Sequence, residues 1–144
     1  MQPDKTDWQI INLLSEKHIP NIAIAKKLGL SEGTIRQRIK KLQDAGILKI
    51  KALRDPNVLE NQQLAIVTAN IAQANLLVEK AKEISELRNV LSVAILSGRY
   101  DLLIEVLVDS NKGLVKFLTE SLASVKGIST TESFVMLKSY HKWI

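Results

Sequence analysis

Asn21–Leu42 reads NIAIAKKLGLSEGTIRQRIKKL, a pattern of two short helices meeting at a tight turn. Leu28-Gly29-Leu30-Ser31 forms the corner. Gly29 supplies a residue that tolerates positive φ after the first helix, and Ser31 is a side-chain cap for the second. Ile24 and Leu28 share one face of the first helix. Ile35, Ile39 and Leu42 recur at i, i+4 and i+7 on the second. Ala25 is small, as the close crossing of two helices requires. This is the pattern of a helix-turn-helix, whose second helix enters the DNA major groove.

Charge is distributed to match. Residues 1–55 hold eleven Lys or Arg against six Asp or Glu, whereas residues 56–144 hold nine of each, so the whole net charge of +5 sits in the first segment. From Arg36 to Arg54 there are seven cations and one anion, Asp44. A field of that sign attracts a polyanion and gains from counterion release.

The bulk composition narrows the class. An apolar fraction of 46% suffices for a packed core and excludes global disorder. No apolar run approaches the ~20 residues of a membrane span, and the first residues lack the basic start and apolar stretch of a signal peptide. The absence of cysteine excludes disulfides and thiolate metal sites. A soluble cytoplasmic protein with no membrane partner is expected.

Outward from the helix-turn-helix, Asp7 is expected to cap a first helix, whose inner stripe is either Trp8, Ile11 and Leu14 or Ile10 and Leu14. Pro20 breaks the chain before the second helix, and Gly46 ends the third near Ala45. Leu48–Arg54 alternates apolar and basic residues at period 2, which predicts a strand or short hairpin, the wing of a winged helix. Residues 55–63 are polar and turn-rich, a linker by composition. The expected division is residues 1–54 for DNA, 55–63 for the linker and 64–144 for a second domain.

In that second domain the expected elements are a strand over Leu64–Ala72, a helix over Asn75–Leu87, strands over Val90–Leu96 and Leu102–Val108, a helix over Lys112–Ser124 capped by Asn111, and a strand over Ile128–Tyr140. The order βαββαβ predicts a ferredoxin-like sandwich, and the whole chain an α+β protein. Leu102–Val108 places Leu102, Ile104, Val106 and Val108 on one face and Leu103, Glu105 and Leu107 on the other. A sheet open to water should alternate more cleanly. The second face is therefore expected to be buried in a homodimer, with twofold symmetry the default; the alternative is that Leu103 and Leu107 are scattered surface apolar residues.

Several short motifs, in order, carry a resemblance. Asp7-Trp8-Gln9-Ile10-Ile11-Asn12-Leu13-Leu14 is similar to D-x-x-I-L-x-x-L. Leu30-Ser31, Thr34-Ile35, Arg38-Ile39-Lys40-Lys41-Leu42 and Gly46-Ile47-Leu48 follow the run LS…TV…RIKxL…GVI. Gly98-Arg99-Tyr100-Asp101 matches G-x-Y-D, and Thr131-Glu132-Ser133 resembles T-x-T. Taken together they resemble the Lrp/AsnC family of prokaryotic transcription regulators over essentially the whole chain. Two departures stand out: Leu59-Glu60 replaces the family's Leu-Gly pair, and Ser133 replaces the second threonine.

The candidate DNA surface follows from the helical wheel. With Ile35, Ile39 and Leu42 buried, Gly33, Arg36, Gln37 and Lys40 project outward, flanked by Ser31, Thr34 and Lys41. Arg and Lys suit guanine O6 and N7, Gln suits adenine, and Gly33 permits close approach to the duplex. Arg38 lies beside the apolar stripe and is assigned to phosphate, as are Lys49, Lys51 and Arg54. The competing reading of these cations is a solvated basic face.

At Gly98-Arg99-Tyr100-Asp101 a hairpin turn with Gly at positive φ explains the glycine by itself. The resemblance implies more, namely an effector-binding turn at a dimer–dimer interface that helps bind a free amino acid. On that reading Tyr100 and Asp101 supply a polar wall and an ammonium acceptor, and Thr131 and Ser133 present hydroxyls to the same pocket. The resemblance further implies association of dimers into octamers. No resident cofactor and no metal site are expected, because His18 and His141 lack partners at ligand spacing. Trp8 and Trp143 are expected as core or interface anchors.

Four classes of function compete for a chain with these features. No Ser/His/Asp, Cys/His, Gly-rich phosphate loop or metal cluster supports an enzyme. An RNA-binding RRM needs aromatic residues on its central strands, which Leu102–Val108 lacks. A protein-assembly role leaves the basic asymmetry unexplained. A sequence-specific transcription regulator of double-stranded DNA, modulated by a small molecule, fits best; an effector-independent DNA-binding architectural protein is the alternative.

Overall fold

The computed structural model describes residues 1–144, which divide into two compact units, Met1–Ala52 and Leu53–Ile144. In the first, α1 spans Lys5–Glu16, α2 Asn21–Leu28 and α3 Glu32–Asp44. The cap of α1 is Asp4, not Asp7 as expected. Asp4 accepts the Asp7 N–H, and Asp7 in turn accepts the Asp4 N–H from position N3, a reciprocal capping box. Two aspartates three residues apart allow the helix to begin earlier, with both carboxylates satisfying orphan amides.

Gly29 ends α2 at φ +66, and Ser31 caps α3 by accepting the Thr34 N–H. Ile10, Ile24, Ala25, Ile35 and Ile39 fill one core, with Leu13, Leu14 and Leu48 packed against it. Each fully buried Ile contributes roughly 1.5–3 kcal/mol by leaving water. The stripe of α1 therefore runs through Ile10, and Trp8 is 53% exposed, outside the core. The strand expected over Leu48–Arg54 does not form. Lys49 and Lys51 are exposed, the Leu48 N–H donates back to Leu42 at the end of α3, and Arg54 exchanges two hydrogen bonds with Ile144 at 2.8 and 3.0 Å, but no strand lies alongside the segment. Alternation without a neighbouring strand makes no ladder.

The second unit is a four-stranded antiparallel sheet of β1 (Gln63–Ile71), β2 (Val90–Ile95), β3 (Leu102–Val108) and β4 (Ile128–Val135), in the order β2-β3-β1-β4. Helices α4 (Leu77–Ser85) and α5 (Asn111–Lys116) complete the βαββαβ order. Ala65, Val67, Ala69, Leu102, Ile104, Val106 and Val108 of the sheet meet Ala81, Ile84, Leu114, Phe117 and Leu122 in one core. At Gly113 a Cβ would come within 3.2 Å of the Val108 Cβ, so α5 crosses the end of β3 closely.

Several boundaries differ from expectation. A 3-10 turn over Ala74–Leu76 precedes α4. Ser110 rather than Asn111 caps α5, its Oγ accepting the Gly113 N–H, and a π-turn over Phe117–Ser121 follows that helix. Strand β4 stops at Val135 instead of Tyr140. The reason is its partner: Met136 donates to Leu64, next to the start of β1, and beyond that point nothing remains to pair with. The tail turns back, Asn57 and Ser139 exchange hydrogen bonds, and Lys142 pairs with Glu105. Residues 55–63 thus belong to the second unit, with a short turn over Pro56–Val58 capped by Asp55.

Candidate nucleic-acid interface and effector surface

The exposed side of α3 is set by what the helix buries. Ile35, Ile39 and Leu42 are in the interior, and Gly33, Arg36, Gln37, Lys40 and Lys41 are exposed, with Thr34 half-buried. Arg36 pairs with Glu32 at 2.7 Å and Lys40 with Asp44 at 3.8 Å, both one turn away and solvent-exposed. Pairs of this kind hold their cations weakly. Arg36 and Lys40 are therefore available to an incoming polyanion. Lys49 and Lys51 are exposed on the segment after α3. Ser31 is occupied in capping α3, its hydroxyl also 2.8 Å from that of Thr34.

Arg38 is placed differently from its neighbours. Its Nη1 donates to Asp4 at 2.7 Å and to Asp7 at 2.8 Å. These two hydrogen bonds, first to Asp4 and then to Asp7, hold the guanidinium charged more firmly than usual. Conversely, the Asp7 N–H and then the Arg38 guanidinium hold the Asp4 carboxyl below the ordinary aspartate range. Asp4 was missed in the sequence, although its spacing of three from Asp7 is a capping-box signal.

In the second unit, Gly98-Arg99-Tyr100-Asp101 joins β2 to β3. Asp101 latches this turn onto the end of β1. Its N–H donates to Ala69 O at 3.1 Å and Asn70 Oδ1 at 3.0 Å, and its Oδ2 accepts the Ile71 N–H at 2.8 Å. The Tyr100 hydroxyl donates to Glu132, which raises the phenol above its usual value. Neither Asn70 nor Glu132 was singled out in the sequence, because their partners lie about thirty residues or more away.

The register separates the expected effector residues. Thr131 and Ser133 lie opposite Ala69 and Val67, whose side chains face the helices. Glu132 lies opposite Thr68, on the other face. Within one subunit, then, Thr131 and Ser133 do not share a pocket with the Tyr100 hydroxyl. Thr131 instead borders a cleft of about 240 Å³ with Leu118, Leu122, Val125 and Ile128. No cluster of three metal-ligating side chains is present, and no helix is long and apolar enough to cross a membrane.

Comparison with known proteins settles the family. Residues 3–49 match the winged helix-turn-helix DNA-binding family, and residues 64–142 match the Lrp/AsnC ligand binding domain. The chain belongs to the Lrp/AsnC family. An HTH-type transcriptional regulator of Pyrococcus furiosus is 32% identical over 142 residues, covering 97% of this chain and 95% of the relative. One of Pyrococcus horikoshii is 29% identical, covering 95% and 91%. A transcriptional regulator of Neisseria meningitidis, solved as its L-Met complex, superimposes with TM-score 0.70 at 27% identity, covering 98% and 94%. AsnC of E. coli shares the fold, with TM-score 0.67 at 22% identity over 96% and 95% of the two chains. This Lrp/AsnC protein is a DNA-binding transcription regulator with a ligand-binding domain.

Proposed function

We propose that the protein binds double-stranded operator DNA as a symmetric dimer and reads bases with α3. The observation that carries this reading is the exposed row Gly33, Arg36, Gln37 and Lys40, directly opposite the buried Ile35, Ile39 and Leu42. Arg36, Gln37 and Lys40 contact base edges, Thr34 and Lys41 flank them, and Lys49 and Lys51 contact phosphate. Two such helices enter successive major grooves about 10 bp apart, or a multiple of it, on a roughly palindromic site.

The dimer forms through the sheet face that carries Leu103 and Leu107. Both are only half-buried in the single chain, and Phe134, on the same face of β4 with β1 between, is 46% exposed. Covering the exposed apolar side chains of this face favours association. Dimers then assemble further, to octamers, and a free amino acid binds between them. The L-Met complex of the Neisseria meningitidis regulator supports an amino acid as the effector class. Because Tyr100 and Thr131 lie on opposite faces of one sheet, a pocket using both draws on more than one subunit. The effector acts by binding two assembly states unequally, which shifts operator affinity.

A second reading has its own observation. Asp101 already spends one carboxylate oxygen and its N–H on the end of β1, which suits a purely structural turn and effector-independent binding. Titration calorimetry against the twenty amino acids separates the two. Heat with at least one supports the effector, and no heat with any of them rejects it.

A further inference from the structure

All four carboxylate oxygens at the start of α1 are engaged in one closed ring. Asp4 Oδ1 accepts the Asp7 N–H at 2.8 Å, and Asp7 Oδ2 accepts the Asp4 N–H at 3.1 Å. Arg38 Nη1 donates to the remaining two, Asp4 Oδ2 at 2.7 Å and Asp7 Oδ1 at 2.8 Å. The ring ties the N-terminus of α1 to the middle of α3, on the residue that follows Gln37.

Two features argue that this guanidinium stays where it is when DNA arrives. The Asp7 side chain is only 4% exposed, so moving Arg38 to a phosphate would leave a buried carboxylate without its countercharge. The cluster also sums to one negative charge, two carboxylates against one guanidinium, which does not invite a phosphate.

We infer that Arg38 is a positioning residue for DNA reading and not a phosphate contact: through Asp4 and Asp7 it sets the rotation of α3 about its own axis. The geometry makes that rotation matter. Side-chain tips lie about 6 Å from a helix axis, so a roll of about 10° moves them by about 1 Å. A bidentate contact to a base edge depends on alignment at that scale, whereas a flexible lysine on a phosphate does not. Arg38 therefore contributes to selectivity while touching no nucleotide.

The inference rests on α3 being the reading helix, and the experiment keeps the two claims separable. The full chain is measured on the duplex it enriches from a random pool and on a shuffled duplex of the same composition, each across a range of salt. Arg38→Gln is expected to lose about tenfold more affinity on the enriched duplex than on the shuffled one, the weight of roughly one base contact. The slope of log affinity against log salt stays as in the parent chain. A lost phosphate contact would instead shrink that slope by about 0.9 per contact and weaken both duplexes alike. That result overturns the inference.

Asp4→Asn guards against a folding failure, since Asp4 is exposed and the Asp7–Arg38 pair survives the change. It is expected to show a smaller loss of selectivity in the same sense, again at constant slope. Equal losses on both duplexes, as a mere drop in folded protein would give, also count against the inference. Gln37→Ala is run alongside. Selectivity changed by Gln37→Ala but by neither Arg38→Gln nor Asp4→Asn overturns the positioning role alone; selectivity unchanged by all three overturns it together with the reading role of α3.

Discussion

Asp101 Oδ2 accepts the backbone N–H of Ile71 at 2.8 Å, tying the β2–β3 turn to the far end of β1. The link spans thirty residues and closes the sheet at the point where β1 runs out. Beside it the Asp101 N–H donates to Asn70 Oδ1, so the latch is held from both sides. Asp101→Ala leaves the Ile71 amide without this partner and is expected to cost about 1–3 kcal/mol in urea unfolding. Asp101→Asn keeps an acceptor and should lose less. Equal stability for both variants and the parent would remove the latch from the list of what holds this sheet.

Gly29 gives a test of the corner between α2 and α3. It sits at φ +66 with nothing within 4 Å of where a Cβ would be, so substitution strains the backbone without a clash. Gly29→Ala is expected to destabilise by about 1 kcal/mol. Gly29→Asn should recover part of that, because asparagine tolerates the left-handed region. Thermal unfolding of the three proteins gives the ranking, and an alanine variant as stable as the parent would show that the corner does not need the glycine.

The sheet face proposed for dimerisation yields a third expectation. Leu107 lies on the same side of β3 as Leu103, away from the helices. Leu107→Glu places a carboxylate in a face meant to be covered and should shift sedimentation toward monomer with the fold retained. A variant that remains fully dimeric would place the subunit contact elsewhere.

The ring around Arg38 makes a prediction in pH. The Asp7 amide and the Arg38 guanidinium lower the Asp4 carboxyl in the folded state, so its contribution to stability is present above the ordinary aspartate value. That contribution is lost as pH falls through the depressed folded value. Carbon-detected NMR should show Asp4 titrating below the ordinary range in the parent and shifting upward in Arg38→Gln. An Asp4 titration that ignores the Arg38 substitution would mean that the ion pair does not persist in solution.

The order of elements was legible because period 3.6 and period 2 switch cleanly along the chain, and Leu102–Val108 was read to the residue. What escaped was decided by distant partners. Strand β4 ends at Val135 because β1 begins at Gln63, a fact no local pattern in Ser133–Tyr140 carries. The basic alternation of Leu48–Arg54 resembled a strand, yet a strand also needs a neighbour to pair with. At the candidate sites, the face of α3 followed from Ile35, Ile39 and Leu42 alone. Arg38 resembled its cationic neighbours in sequence, and only the fold brings it to Asp4 and Asp7. Likewise, Thr131 and Ser133 alternate as expected, but register alone places them across the sheet from Glu132 and Tyr100.

Base reading by α3 is tested most directly by comparing Gln37→Ala with Lys51→Ala in binding-site selection from a random pool, followed by affinities on the enriched and shuffled duplexes. If Gln37 reads a base, Gln37→Ala relaxes the preference at one position of each half-site and costs about 1–3 kcal/mol on the enriched duplex only. Lys51→Ala should weaken both duplexes alike and shrink the salt slope by about 0.9 per phosphate contact. Equal losses on enriched and shuffled DNA for Gln37→Ala, with an unchanged selected sequence, would contradict the assignment of α3 as the helix that reads the operator.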